Sequence, residues 1–279
     1  MPVKVVTDSI SDIPAPVAEK LGITVIPLNV HFEKDIYRDG VDLTTCQFYD
    51  RLSHNKVLPT TSAPSLSAFS DTYDRLSEEA DANLVITISS KLSATYDVAL
   101  QAVKQMKGKC RVEVVNSQTA IMAEGLLAIA AAKAAQSGAT LGEIVDLTQH
   151  NISRSELRMA FNTLEYLKRG GRIGQAQAFM GSLLKVNPVI GIKDGEIFPF
   201  GRERSRAKAV DQLYNFVMDY SRIEEMAVED ATTPEEAEML AGRLSSKFPK
   251  ERIYCSKVSP VIGTHVGPRV LGVAVLGNR

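Results

Sequence analysis

Four apolar stretches of the chain run into polar, mostly hydroxyl-bearing loops. They are Val3–Val6 before Thr7-Asp8-Ser9, Leu84–Ile88 before Ser89-Ser90, Val112–Val115 before Asn116-Ser117, and Pro260–Ile262 before Gly263-Thr264-His265. In an open α/β sheet, ligands sit at the carboxyl ends of the strands, so these groups would meet an oxygen-rich ligand, an anion or a polyol. Thr60-Thr61-Ser62, shortly before Pro64, and Ser89-Ser90-Lys91-Leu92-Ser93 add two loops at helix entries. Backbone N–H groups and the helix dipole there favour a carboxylate or phosphate. Taken singly, each Ser or Thr reads as a helix N-cap rather than a ligand contact; it is the repetition that points to a site.

His265 lies between Gly263 and Gly267. A tight loop could turn its ring toward an anionic oxygen, and a structural histidine fits the same residues. Basic residues concentrate in Lys168-Arg169-Gly170-Gly171-Arg172 and in Arg202-Glu203-Arg204-Ser205-Arg206. Positive charge at the start of the helix after Ser205 opposes its dipole, which favours an acidic or phosphate-bearing partner; a solvated face is the alternative. The chain has no GxxxxGK[ST] loop, no GxGxxG after its first strand, no GxSxG elbow and no HExxH. Neither a nucleotide grip nor a hydrolase nucleophile is signalled.

The elements that must position these residues alternate through the first half. Strands are expected at Val3–Val6, Ile23–Val30, Leu84–Ile88 and Val112–Val115. Helices are expected after Pro14, from Thr44-Thr45-Cys46-Gln47 through Leu52, from Pro64-Ser65, over Ala94–Met106 capped by Ser93, over the Ala-rich Met122–Gln136, and from the capping box Thr140-x-x-Glu143. Past about Ser153 the rhythm changes. A short helix at Leu164–Lys168, a helix at Gln175–Leu184 and a hairpin around Lys193-Asp194-Gly195 precede a helix from Ser205 to Tyr220. Strands at Met226–Asp230, Arg252–Lys257 and Leu271–Leu276 and a helix begun by Thr233-Pro234-Glu235-Glu236 complete the set. The pattern predicts two α/β domains, a three-layer, mostly parallel one over 1–157 and a smaller mixed-sheet one over 158–279.

The chain's 279 residues and 44% hydrophobic content suffice for a real core. With 32 basic against 33 acidic residues, a broad nucleic-acid footprint is not expected. No apolar run reaches the ~20 residues that cross a bilayer, and Met1-Pro2-Val3-Lys4 leads straight into a strand, so a cytoplasmic location without an integral membrane segment is expected. Cys46, Cys110 and Cys255 form no CxxC pair, and His31, His54, His150 and His265 lack metal-ligand spacing. Neither a metal nor a cofactor is expected.

Five motifs, taken in order, resemble the DegV family. They are Thr7-Asp8-Ser9 with Asp12-Ile13-Pro14, Thr61-Ser62-Ala63-Pro64-Ser65, Ile88 to Tyr96, Leu164 to Ile173, and Pro260 to Pro268, together spanning essentially the whole chain. Lys91 and Ala94 stand where glycine is usual in that family, and Ala63 where glutamine is common. The resemblance implies a non-enzymatic, lipid-binding subunit that holds one long-chain fatty acid and presents its carboxylate to a separate kinase, related to dihydroxyacetone kinases, for conversion to an acyl phosphate. It implies Thr61, Ser62, Ser93 and His265 as carboxylate ligands, with Thr264 nearby and Asn29 less directly. Arg172 and one or more of Arg202, Arg204 and Arg206 would face the kinase. The first domain would carry most head-group contacts and the second would enclose the tail, in a tunnel for which Phe161, Ile173, Phe179, Leu183, Ile190 and Ile192 are candidates. Ordinary core packing is the alternative for each of these. The alternative function is the substrate-binding subunit of a dihydroxyacetone-kinase-like enzyme acting on a small polyol; a ligand-free adaptor that uses its arginine surface is a third.

Overall fold

A computed structural model of the chain describes residues 2–54, 57–180 and 186–279. The first half runs β1 (Val3–Asp8), α1 (Ala15–Leu21), β2 (Ile23–Ile26), β3 (Asn29–Phe32), β4 (Asp35–Arg38), α2 (Thr45–His54), β5 (Thr60–Ser62), α3 (Leu66–Ser77), β6 (Ala82–Thr87), α4 (Thr95–Val103), β7 (Arg111–Asn116), α5 (Met122–Gln136) and α6 (Leu141–Ile152). The second runs β8 (Ser155–Ala160), α7 (Glu165–Arg169), β9 (Asn187–Lys193), β10 (Glu196–Glu203), α8 (Arg206–Met218), β11 (Arg222–Asp230), α9 (Pro234–Leu244), β12 (Ile253–Lys257), α10 (Pro260–Val266) and β13 (Leu271–Asn278).

Among the described residues, β2-β1-β6-β7 form a parallel sheet and β10-β9-β8-β13-β11-β12 a mixed one, antiparallel except at β11–β12. This is the expected α/β architecture, a parallel sheet followed by a mixed one. Helices α3 and α4 cover the outer face of the parallel sheet, and α8 and α9 the outer face of the mixed sheet. Between the sheets lies α5, packed on β1 as well as on β8, β11 and β13. A helix touched on both sides has no polar face, and Ala123, Leu126, Leu127, Ala128, Ile129, Ala131 and Ala132 are all buried. Its many alanines let the two sheets approach closely. The boundary expected after residue 157 falls inside β8, every residue of which belongs to the mixed sheet.

Four expectations need correction. Thr60-Thr61-Ser62 is not a loop but strand β5, paired antiparallel with β3. Ile23–Val30 is not one strand: the chain leaves the parallel sheet at Pro27, which has no N–H to give a ladder, and β3 joins β4 and β5 in a small antiparallel sheet. Gln175–Leu184 is not a helix throughout; a 3₁₀ segment covers Gly174–Phe179, and residues 181–185 lie outside the described residues. Pro260 to His265 is not a strand running into a loop but most of helix α10, with Pro260 in its first turn, where a missing N–H costs nothing. No described helix is long and apolar enough to cross a membrane.

Candidate ligand-binding cavity

Beyond the carboxyl ends of β1 and β6 the two sheets enclose a cavity of about 920 Å³, its open mouth included. Its walls come from many elements. Ile10 and Ile88 follow β1 and β6, Ile121 precedes α5, Leu157 and Met159 stand on β8, Phe161 follows it, and Ile190 and Ile192 come from β9. Val261, Ile262 and Val266 on α10 close another side. Polar groups are confined to a few residues, Thr61, Ser62, Ser93, Arg172 and His265. An apolar chamber with a cluster of convergent polar groups is the form of a site for an amphipathic ligand.

Thr61 Oγ1 and His265 Nε2 lie 2.8 Å apart, while His265 Nδ1 is buried with no hydrogen-bond partner. The tautomer protonated on Nε2 leaves only a lone pair unmatched, whereas the other would bury an unpaired N–H. In the first, His265 donates to Thr61, whose own hydroxyl proton is then available for a ligand oxygen. Burial, reinforced by the Arg172 charge, pulls the His265 pKa down to about 4. The imidazole is therefore neutral near pH 7, and the positive charge in the site comes from Arg172. That side chain is held by Nη1–H to the Gly170 carbonyl at 2.7 Å and Nε–H to the Leu92 carbonyl at 3.3 Å.

The other expected head-group residues are placed by local structure. Ser62 sits opposite Asn29 in the β3–β5 register, accepting from Asn29 Nδ2 at 3.3 Å and lying 2.9 Å from His31 Nε2. Asn29 itself stands behind Ser62, outside the lining. Ser93 lines the cavity but is not the N-cap of α4, which is Ala94 and carries no side-chain cap; Ser93 Oγ instead accepts the Thr95 N–H at 3.3 Å in the turn before the helix. Thr264 is directed away: in a helix its hydroxyl reaches the carbonyl four residues back, Pro260, at 3.0 Å.

Phe161, Ile190 and Ile192 line the cavity; Ile173 is buried outside the lining, and Phe179 packs beneath Arg202, whose guanidinium carbon is 5.6 Å from the ring centre. Leu183 lies outside the described residues. Of the expected partner-facing arginines, Arg172 is part of the cavity lining and Arg204 is exposed. Arg206 is committed elsewhere, bonded to Glu236 Oε2 at 2.7 Å and to the Ala160 carbonyl at 2.9 Å. Ile10, Leu28, Ile88, Ile121, Leu157, Met159 and Ile197 are wall residues that sequence reasoning passed over. The available signal for Ile10 was an isolated apolar side chain inside a hydroxyl-rich loop, and for Ile88 its place as the last apolar residue before one.

The sequence profile of the DegV family, described as that of an uncharacterised protein, matches residues 2–278. The chain belongs to the DegV family. Among DegV relatives, a DegV domain-containing protein of Clostridium perfringens is 34% identical, with 98% of each chain covered. The structure of a fatty-acid-binding DegV protein from Thermus thermophilus matches with a TM-score of 0.91 at 33% identity, covering 99% of this chain and 100% of that one. DegV of Bacillus subtilis, described as a fatty acid binding protein, also superposes with a TM-score of 0.91 at 33% identity, with 100% of both chains covered.

Proposed function

We propose that this chain binds one long-chain fatty acid, with the acyl tail between the sheets and the carboxylate against Thr61, Ser62, Ser93, Arg172 and His265. The observation that carries this reading is the separation of the cavity into extended apolar walls and one hydroxyl, imidazole and guanidinium cluster. Each buried methylene contributes about 0.8 kcal/mol, so a long tail supplies on the order of 10 kcal/mol before the costs of association. A hydrogen bond to the charged head adds about 1.5–3 kcal/mol. The tail thus dominates affinity, and the polar cluster fixes where the head sits. Two solved relatives described as fatty acid binding, each at 33% identity, support the reading.

The head group would be presented to a separate kinase subunit related to dihydroxyacetone kinases, which would phosphorylate it to an acyl phosphate. What supports this is an open depression lined by Ser90, Lys91, Asp97, Gly171 and Glu196 that shares Leu92, Ser93, Arg172 and Ile197 with the cavity. A partner docked there would reach the carboxylate without entering the tail chamber. Denaturing extraction of the protein purified from bacterial cells, followed by mass spectrometry, should yield a stoichiometric acyl chain. Extraction of none would overturn the fatty-acid reading. Competition with dihydroxyacetone tests the polyol alternative, which the apolar walls disfavour; displacement of palmitate by dihydroxyacetone at comparable concentration would revive it.

A further inference from the structure

The Thr7-Asp8-Ser9 and Asp12-Ile13-Pro14 motifs contribute no polar atom to the cavity, yet their carboxylates are buried beside it. Asp8 is 0% exposed, Asp12 7% and Asp39, in the loop after β4, 3%. The Asp8 and Asp12 carboxylates hold main chain at the cavity directly, and that of Asp39 does so through the Ser9 hydroxyl. Asp8 accepts the N–H of Ile10 at 2.9 Å on one oxygen and that of Ile88 at 3.0 Å on the other. Ser9 donates its hydroxyl to Asp39 at 2.8 Å and accepts the Leu28 N–H at 3.1 Å, while the Asp39 N–H donates to the Leu28 carbonyl at 2.9 Å. Both oxygens of Asp12 accept the N–H of Ser259, at 3.3 Å, where the chain enters α10. Ile10, Leu28 and Ile88 are wall residues, and α10 carries His265.

We infer that Asp8, Asp12 and Asp39 are positioning residues for the ligand: they set the main chain of Ile10, Leu28, Ile88 and α10, and their ionisation is linked to occupancy of the cavity. The inference rests on the fatty-acid reading. Its physical basis is that a carboxylate accepts an N–H more strongly than a neutral acid does, and that buried charge is costly. Further buried titratable groups face them: Glu124 of α5 bears on Asp8 and Asp12, Glu229 of β11 on Asp12, and the Tyr49 hydroxyl of α2 on Asp12 and Asp39, while burial raises Glu124 well above its ordinary range and Glu229 to about 8. Lys257 of β12 is paired at 2.8 Å with Asp230. Burial pushes Asp8 and Asp39 up to about 7, and raises Asp12 as well. A tail that excludes water from the cavity, and a carboxylate head that adds negative charge, both raise these groups further. Ligand binding therefore takes up protons, and affinity falls as pH rises through the neutral range.

The test is palmitate binding by the full chain from about pH 6 to about pH 8.5, where both palmitate and His265 keep their charge states. Wild-type affinity should weaken about three- to tenfold across this range, the ratio produced by a half to one unit difference between free and bound forms. Asp39→Asn keeps the shape of the neutral acid and removes one of the titrating groups, so it should lose less affinity than the wild type between about pH 6 and about pH 8.5; Asp39→Ala should bind more weakly throughout. A folded Asp39→Asn with the wild-type pH profile, together with an Asp39→Ala that binds as wild type does, overturns the inference. Should either variant fail to fold, amide exchange in the wild type decides: protection of Ile10, Leu28 and Ile88 that changes between the two pH values beyond the intrinsic rate supports it, and constant protection overturns it. If palmitate binds at no pH, the fatty-acid reading fails, and exchange in the unliganded chain still tests the frame of carboxylates.

Discussion

Thr61 Oγ1 stands 2.8 Å from His265 Nε2, joining β5 to α10 across 204 positions of sequence. Since the neutral ring donates to Thr61, removing it releases the hydroxyl from the orientation that the proposed carboxylate site requires. His265→Ala should weaken palmitate binding about tenfold, the effect of one hydrogen bond to a charged group, and, with the proposed kinase partner, lower acyl-phosphate formation. Ser93→Ala should act in the same direction. Circular dichroism should show both variants folded; normal binding and turnover in both would remove these residues from the head-group site.

Acid stability should report the same ring. His265 titrates at about 4 in the folded protein and near 6.5 in an unfolded chain, so the unfolded state takes up the proton first as pH falls. Its contribution is intact above about pH 6.5 and is lost as pH falls toward 4, at a cost on the order of 3 kcal/mol. Asp8 and Asp39 act oppositely, because groups raised to about 7 favour the fold when protonated and oppose it as pH rises through that value. Comparing melting temperatures of wild type and His265→Gln at about pH 7.5 and about pH 4.5 separates the two. The wild type should lose more on acidification; equal losses would mean that the ring is not shielded.

How much of this was legible in the sequence depends on the range of the interaction. The hairpin at Asp194-Gly195 was readable because both residues take positive φ, 52° and 80°, which this dipeptide tolerates. The Thr140–Glu143 capping box was equally local. Strand β8 was missed, although its Leu157 and Met159 form cavity wall, because the intervening Arg158 reads as surface. In the structure Arg158 is 7% exposed, its guanidinium carbon 3.2 Å from the Phe200 ring centre and 4.6 Å from that of Phe216. No local pattern announces that stacking. Helix α10 was hidden in the same way, since Gly263 lowers helix propensity for a tertiary reason: a Cβ there would lie 2.6 Å from Phe48 Cε1.

Gly170 offers a test that leaves every polar group in place. A Cβ at this position would stand 2.2 Å from His265 Nδ1, whereas one at Gly171 would meet nothing within 4 Å. Gly170→Ala should therefore push the ring away from Thr61 and reduce palmitate affinity by about as much as His265→Ala does. Gly171 has φ +68°, so Gly171→Ala should lower thermal stability through backbone strain, by roughly 1 kcal/mol, with binding little changed. Isothermal titration and thermal melts of the two variants check this; equal binding losses would show that the close approach to His265 is not what matters.

Arg172 offers a test that distinguishes the proposed head-group binding from the proposed partner docking. Its guanidinium lines the cavity, is anchored by the Gly170 and Leu92 carbonyls, and bears on His265. Because the side chain is exposed, its attraction for a carboxylate is screened, and Arg172→Ala should weaken palmitate by about three- to tenfold. Hexadecanol, which carries no charge, should bind both proteins alike. With the positive charge gone, the His265 ring should titrate closer to its ordinary range, measurable by NMR of the imidazole protons. Unchanged palmitate affinity with a reduced acyl-phosphate yield would instead assign Arg172 to the kinase surface, because a residue that only meets the partner cannot distinguish a carboxylate from an alcohol.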